Sequence, residues 1–382
     1  MNRCGLVLLV VLAPAGRTAA QEVKLVKPAA RLAHQFSTIG GVRELADGRV
    51  LVADGIDNVV LRADLATQKI DTIGRSGPGP GEYRAPDALF PWPNGATMVV
   101  DLGNARLSIF DGTGKYRESI PIAQGQPGRG GFALVLPRSV DADGRIYYQP
   151  FGGGPMADSG VVVRWDRTAA KFDTVASVKL PPMITTESGG PNNRNTRQRP
   201  VPYPPQDVWT AAPDGRVALV RAPAYRVDWV SPAGARTVGK PIAGGPVPIR
   251  DAEKKEYLAD QAANGLSVSM ENNNGRVSMR MSRGRSDNAE NGDPALSATE
   301  WPATKPTVSG LVVPGPDGRV WVERSVPAGA ARVYDVIGAD GAVATRVTLP
   351  VGRRVVALGA RGLYVRQIDA DGINYLERYD LK

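Results

Sequence analysis

The stretch IGRSGPGPGEYRAPDALFPWPNGATMVVDLGNARLSIFDGTGKY, residues 73–116, decides the fold. Short runs rich in Val, Ile, Leu, Met and Phe alternate in it with turn residues, and the runs predict strands over 87–91, 97–101, 106–111 and 116–122. Apolar β-branched and aromatic residues suit a pleated, packed surface. Asn94-Gly95 between two such runs is a hairpin signal, because glycine takes the positive φ that a tight turn needs. Four short strands joined by tight turns make one blade of a β-propeller.

The same turn recurs along the chain. It stands at Asp47-Gly48-Arg49, Asn94-Gly95, Asp143-Gly144-Arg145, Asp214-Gly215-Arg216, Asp317-Gly318-Arg319 and Arg361-Gly362, each followed by an apolar run. Successive spacings are about 47, 49, 71, 103 and 45 residues. The short spacings match one four-stranded blade and the long ones imply insertions. The first unit reads as strands 42–46, 50–54, 58–64 and 69–73. The last offers only three, over 354–358, 363–368 and 373–379, so its fourth is expected from 23–26 or 33–39. The fold class is therefore all-β, a six-bladed β-propeller closed by pairing of the N- and C-terminal strands, with one short helical insertion. Closing the ring removes exposed sheet edges.

Within residues 73–116, Gly79-Pro80-Gly81-Glu82-Tyr83, Val99-Val100-Asp101, Asn104-Ala105-Arg106 and Phe110-Asp111 to Gly114 stand in order. This succession resembles the NHL repeat and related bacterial six-bladed propellers. A looser copy, Val52-Ala53-Asp54 with Asp57-Asn58, lies in the first unit, while later units keep the turn and lose the Asn-x-Arg. The resemblance implies a propeller and no particular reaction, since such folds host many functions.

Residues 1–20 read as a secretory signal: Arg3 gives the positive start, 6–13 the apolar run, and Thr18-Ala19-Ala20 a small-residue cleavage site before Gln21. The propeller is then expected over 21–382, exported to a periplasmic or extracellular space, with no membrane span and as a monomer. The single cysteine, Cys4, falls inside the signal. A mature chain without thiols has no disulfides and no thiolate metal site. The net charge is +9, or +7 once Arg3 and Arg17 are removed, which favours anionic partners. Export and sparse aromatic residues argue against nucleic acid.

In a propeller the turns between first and second strands share one face with those between third and fourth. All of these are short here. Every long connection falls on the opposite face: 150–160, about 181–206 and about 242–308. Long loops on a rigid scaffold are where binding resides. The largest insertion contains DAEKKEYLADQAAN, a predicted helix capped by Asp251, closing at Asn264-Gly265 and resting on the rim through Tyr257 and Leu258. After it, Asn273-Asn274-Gly275 is placed to turn a hairpin between 266–270 and 276–281.

Arg276, Arg280, Arg283 and Arg285 form a local basic run there, and Arg194, Arg197 and Arg199 form another in the smaller insertion. These seven are the candidate ligand-binding residues. His34 is the only histidine, which argues against a histidine-liganded zinc site and a Ser-His-acid triad. Gly77, Gly79 and Gly81 lack the Lys-Ser or Lys-Thr of a phosphate loop. The expected function is a non-catalytic scaffold that binds a protein or other ligand through its loop-rich face, without a cofactor. One alternative is a calcium-assisted hydrolase of lactonase or esterase type, with Asp54, Asp57, Asn58, Asp101 and Asn104 as oxygen ligands. Another is binding of an anionic glycan or lipid.

Overall fold

The computed structural model describes residues 20–126, 129–150, 158–190, 193–222, 224–273, 276–283 and 301–381. The proposed signal thus lies outside the described residues except for Ala20, as do Arg285 and most of the 150–160 loop. The chain is a six-bladed β-propeller of antiparallel four-stranded sheets. The innermost strands are Gly41–Glu44, Pro86–Pro91, Pro137–Val140, Val208–Ala211, Val308–Pro314 and Arg353–Gly359. Each touches the next in that order and the sixth touches the first, which closes the ring.

Six hydrophobic clusters lie between the blades, one at each junction. This explains why second strands such as Val50–Asp54 and Thr97–Asp101 are buried along their whole length. Successive side chains face opposite sides of the sheet. Val50 and Val52 pack toward blade six, while Leu51 and Ala53 pack toward blade two. A strand sandwiched between two neighbouring blades therefore reads as a continuous apolar run rather than an alternating one.

The chain ends pair as expected, through Ala30–Arg31 just before the expected 33–39 stretch and through Phe36 within it. The outer strand of blade six is Ala30–Arg31, antiparallel to Asn374–Tyr379 and extended by a bridge from Phe36 to Asn374. Gln21–Lys24 does not join blade six. It adds a fifth, parallel strand to the outer edge of blade five, beside Val343–Thr348. Lys27-Pro28 lies between the two strands. Proline has no N–H to give a ladder, which suits a change of sheet at that point.

The predicted helix is present as α1, Asp251–Asn264, with Gly265 after its last residue. Its N-cap is Arg250 rather than Asp251. Glu253 performs the capping, accepting the Arg250 backbone N–H at 3.0 Å. Among the described residues no helix is long and apolar enough to cross a membrane.

Candidate functional site

The six glycine turns form a structural face. In the first, Asp47 accepts the backbone N–H of Arg49 at 3.0 Å and the Arg49 guanidinium at 2.8 Å. Asp214 with Arg216 and Asp317 with Arg319 repeat this arrangement. The turns also touch one another: Arg216 donates to the carbonyl of Gly318, and Arg361 to that of Asp47. Gly48, Gly95, Gly144, Gly215 and Gly318 all have positive φ, as their turns require. The charged groups of these turns are thus engaged in holding the turns and tying them together.

The sequence motifs at 79–106 are also tied into the scaffold. Glu82 accepts the Gly79 N–H at 2.7 Å and pairs with Arg75 at 2.7 Å, and both contacts hold its carboxyl below the ordinary range. Arg106 donates to the carbonyls of Gly79 and Glu82, and Asn104 to that of Gly77. Tyr83, fully buried, donates to the carbonyl of Ile73 at 2.6 Å and accepts the N–H of Val60 at 2.9 Å. The loop between blades one and two is thereby fastened to both.

Of the calcium candidates, Asp54 accepts the backbone N–H groups of Thr38, Ile56 and Asp57. Asp101 accepts those of Arg84, Ala85 and Asn104, together with the Asn104 side-chain amide. Asp57 accepts the Ser37 hydroxyl, and the Asn58 amide lies against the Ile56 carbonyl. The five residues form two separate turn caps in adjacent blades. Among the described residues no group of three or more His, Cys, Asp or Glu side chains is placed to hold one metal ion.

The opposite face gathers the insertions. Met183–Gly190 pairs with Asn193–Pro200, and Leu266–Asn273 pairs with Arg276–Arg283. Asn193–Pro200 then pairs antiparallel with Leu266–Asn273, so two insertions distant in sequence make one four-stranded sheet. The second hairpin is longer than its sequence suggested. Cross-strand register puts Arg197, Ser269 and Arg280 in one row. With a period of two along each strand, Arg197, Arg199, Arg276 and Arg280 share one sheet face. Arg194 and Arg283 belong to the other face, which also carries Leu266, Val268, Met270 and Met281. Met281 is buried in the cluster between blades two and three, together with Leu134 and Val135. A further hairpin, Ala123–Gln126 with Arg129–Leu134, joins this side between blades two and three. Sequence reading missed it, since that connection is barely longer than an ordinary one.

Helix α1 is fastened to the same face by carboxylates at one-turn spacing. Glu253 accepts the Ala328 N–H at 2.9 Å, and Tyr203 donates to the Glu253 carbonyl at 2.7 Å. Glu256 pairs with Arg332 at 2.6 Å and with Lys305 at 3.3 Å, and Asp260 with Arg354 at 3.4 Å. Tyr257 packs on Tyr203 and Trp301, with centroids at 5.0 and 5.5 Å. Leu258, expected on the rim as well, is 38% exposed. The signal that could have found this docking face is Glu253, Glu256 and Asp260 at helical spacing, whose partners lie far along the chain.

Beneath α1 lies a cavity of about 190 Å³, bounded by the helix, the start of Val308–Pro314, the loop after Val320–Arg324, and Arg332 and Arg354. Below it Glu323 is fully buried, accepting from Arg354 at 2.9 Å and from the Tyr334 hydroxyl at 2.9 Å. Burial opposes ionisation of Glu323, but Arg354 and Arg332 outweigh it and keep its carboxyl below the ordinary range. On the cavity wall Gly310 has φ +95° inside a break in the strand register, and a side chain there would meet nothing. Such bulges re-aim a strand beside a site.

No protein family and no curated protein matches the chain. Among solved structures it is similar to the calcium-binding protein regucalcin from Agrobacterium tumefaciens, at 13% identity over 95% of this chain and 98% of that one, TM-score 0.43. It is also similar to virginiamycin B lyase from Staphylococcus aureus, at 11% identity over 91% and 97%, TM-score 0.41. A member of the DUF4221 family from Bacteroides vulgatus is 11% identical over 92% and 95%, TM-score 0.44. No residue role is carried over from them.

Proposed function

We propose that this protein is an exported, non-catalytic binding scaffold whose insertion sheet takes up an anionic glycan. The observation that carries the reading is the register of that sheet, which brings Arg197 and Arg199 from one insertion and Arg276 and Arg280 from another onto one face. Ser267, Ser269, Ser278, Asn193 and Asn195 stand on the same face, with one acidic residue, Glu271, among the four arginines. Hydroxyl and amide groups beside guanidinium groups suit a hydroxylated polyanion. A lipid surface would call for apolar residues to enter the headgroup boundary; the register sets one, Ile184 opposite Arg199, on this face and Val268, Met270, Val277 and Met279 on the other. Export is supported by the signal-like residues 1–20. Kinship with NHL repeats rests on the motif at 79–106, whose residues fasten adjacent blades.

The test is binding of the mature protein to heparin, as a polyanionic probe, over a salt series. Attraction between exposed charges is screened within about 8 Å at 0.15 M salt. Affinity is expected to fall steeply with salt and to be lost on reversing Arg197, Arg199, Arg276 and Arg280 to glutamate. Unchanged binding by that variant, or binding indifferent to salt, overturns the reading. Binding of anionic vesicles in preference to heparin would replace glycan with lipid. The calcium-assisted hydrolase competes with this proposal. It predicts a melting temperature several degrees higher in calcium than in chelator, and the scaffold reading predicts the same temperature in both.

A further inference from the structure

The cavity beneath α1 sets an apolar wall beside neutral hydrogen-bonding groups. Tyr203 and Tyr257 give it aromatic surface, and Pro204, Pro306 and Val326 aliphatic surface. The Tyr203 hydroxyl donates to the Glu253 carbonyl at 2.7 Å, which fixes its ring against the helix. Gly310 leaves the neighbouring wall open, since a side chain there would meet nothing.

The charges on the wall are already paired with one another. Lys305 holds Glu256 at 3.3 Å and donates to the Val326 carbonyl at 3.0 Å. Arg332 holds Glu256 at 2.6 Å, while Arg354 holds Asp260 at 3.4 Å and the buried Glu323 at 2.9 Å. A charged ligand would have to draw one member from such a pair and leave the other partly buried, which is costly. The uncommitted groups are neutral. Among the described residues, the side-chain amides of Gln206 and Gln261 and the Ser325 hydroxyl make no hydrogen bond to another residue. Amides and hydroxyls both donate and accept, which matches a ligand whose own polar groups are hydroxyls. The volume of about 190 Å³ equals roughly six waters at about 30 Å³ each, room for one six-membered ring with its substituents and not for two.

We propose that this cavity binds a single neutral hexopyranose, its hydroxyls on Gln206, Gln261 and Ser325 and the C–H face of its ring against Tyr203, Pro306 and Val326. An apolar wall with a few placed polar groups is the usual make-up of a small-molecule site. A closed sugar ring carries an apolar face beside a hydroxylated edge, and an open-chain polyol has no such face. None of Arg197, Arg199, Arg276 and Arg280 lines the cavity, so the site stands independently of glycan binding by the insertion sheet.

The experiment is calorimetry and saturation-transfer NMR on the mature protein with glucose, galactose, mannose and N-acetylglucosamine, alongside glucuronate, protonated glucosamine and sorbitol. At least one neutral hexose is expected to bind at a single site, and the charged sugars and sorbitol much more weakly. Gln261→Ala, at an exposed helix position, removes one hydrogen bond and is expected to weaken binding roughly three- to tenfold with the melting temperature unchanged. Val326→Trp and, independently, Gln261→Trp fill the cavity and are expected to abolish binding while the circular dichroism spectrum stays that of the parent. Reversing Arg276 and Arg280 to glutamate is expected to weaken heparin binding and leave hexose binding unchanged, so that either reading can fail alone. No binding of any neutral hexose at tens of millimolar, or binding that survives both tryptophan variants, overturns the site. Glucuronate or sorbitol binding as tightly as the best neutral hexose overturns its assignment to a neutral ring.

Discussion

Replacing Tyr83 with phenylalanine tests whether the Gly-Pro-Gly-Glu-Tyr motif is scaffold. The ring is fully buried between blades one and two, so the substitution opens no cavity and removes only the hydroxyl. That hydroxyl serves two backbone groups, the Ile73 carbonyl at 2.6 Å and the Val60 N–H at 2.9 Å. Both residues are themselves buried. Each buried group left without a partner costs about 1–3 kcal/mol, and partial relaxation brings the pair to about 3 kcal/mol. An unfolding entropy of about 2.1 cal/mol/K per residue over about 360 residues gives about 0.76 kcal/mol/K, so the melting temperature should fall by about 4 °C. The control is Tyr375→Phe, whose hydroxyl accepts only an exposed bond from Gln35 at 3.2 Å, and it should cost less than about 0.5 kcal/mol. Denaturant titration at unchanged m-value, checked by calorimetry, measures both. If Tyr83→Phe falls within about 0.5 kcal/mol of the control, the hydroxyl does not clamp the blades and the structural reading of the motif is wrong.

Glu323→Gln keeps the shape of the side chain but leaves Arg354 and Arg332 without their buried counter-charge; denaturant titration should show a loss of about 3–5 kcal/mol, and a loss under about 1 kcal/mol would mean that the pair is not coupled. Asp111 is held down to about 2, first by the Thr113 hydroxyl and then by the Lys115 N–H. A carboxyl lowered in the folded state adds stability that is complete above its unfolded value and vanishes as pH falls through the folded one. Its NMR titration midpoint should therefore lie near 2, and its share of stability should disappear between about pH 4 and pH 2. Deleting residues 21–26 removes only the parallel fifth strand of blade five and should lower the melting temperature modestly, whereas deleting 21–36 also removes the closing strand of blade six and should abolish cooperative unfolding.

The fold was legible because its signals are local. Gly48, Gly144, Gly215 and Gly318 each sit in a turn that needs positive φ, and the strands after them are apolar on both faces because each blade lies between two others. Chain closure was legible in outline only. Both N-terminal candidates have strand-like composition, and their choice of sheet depends on edges that form far along the chain. The site was the least legible part. Arg197 and Arg280 look like members of two unrelated basic runs until Asn193–Pro200 pairs with Leu266–Asn273. Helix α1 reads as a weakly apolar surface helix because it docks through Glu253 on the Ala328 N–H and through Glu256 and Asp260 on cations from blades five and six rather than through a greasy stripe. Repetition along the sequence reveals scaffold, while the single, non-repeated contacts between insertions stay hidden.

The claim that activity belongs to the insertion face and not to the glycine-turn face can be tested most directly by hydrogen exchange with and without heparin. The account predicts slowed exchange at the backbone amides of Asn193–Pro200 and Arg276–Arg283, and no change at the turns of Gly48, Gly144, Gly215 and Gly318. Protection centred on those glycine turns, with the insertion sheet unaffected, would contradict it.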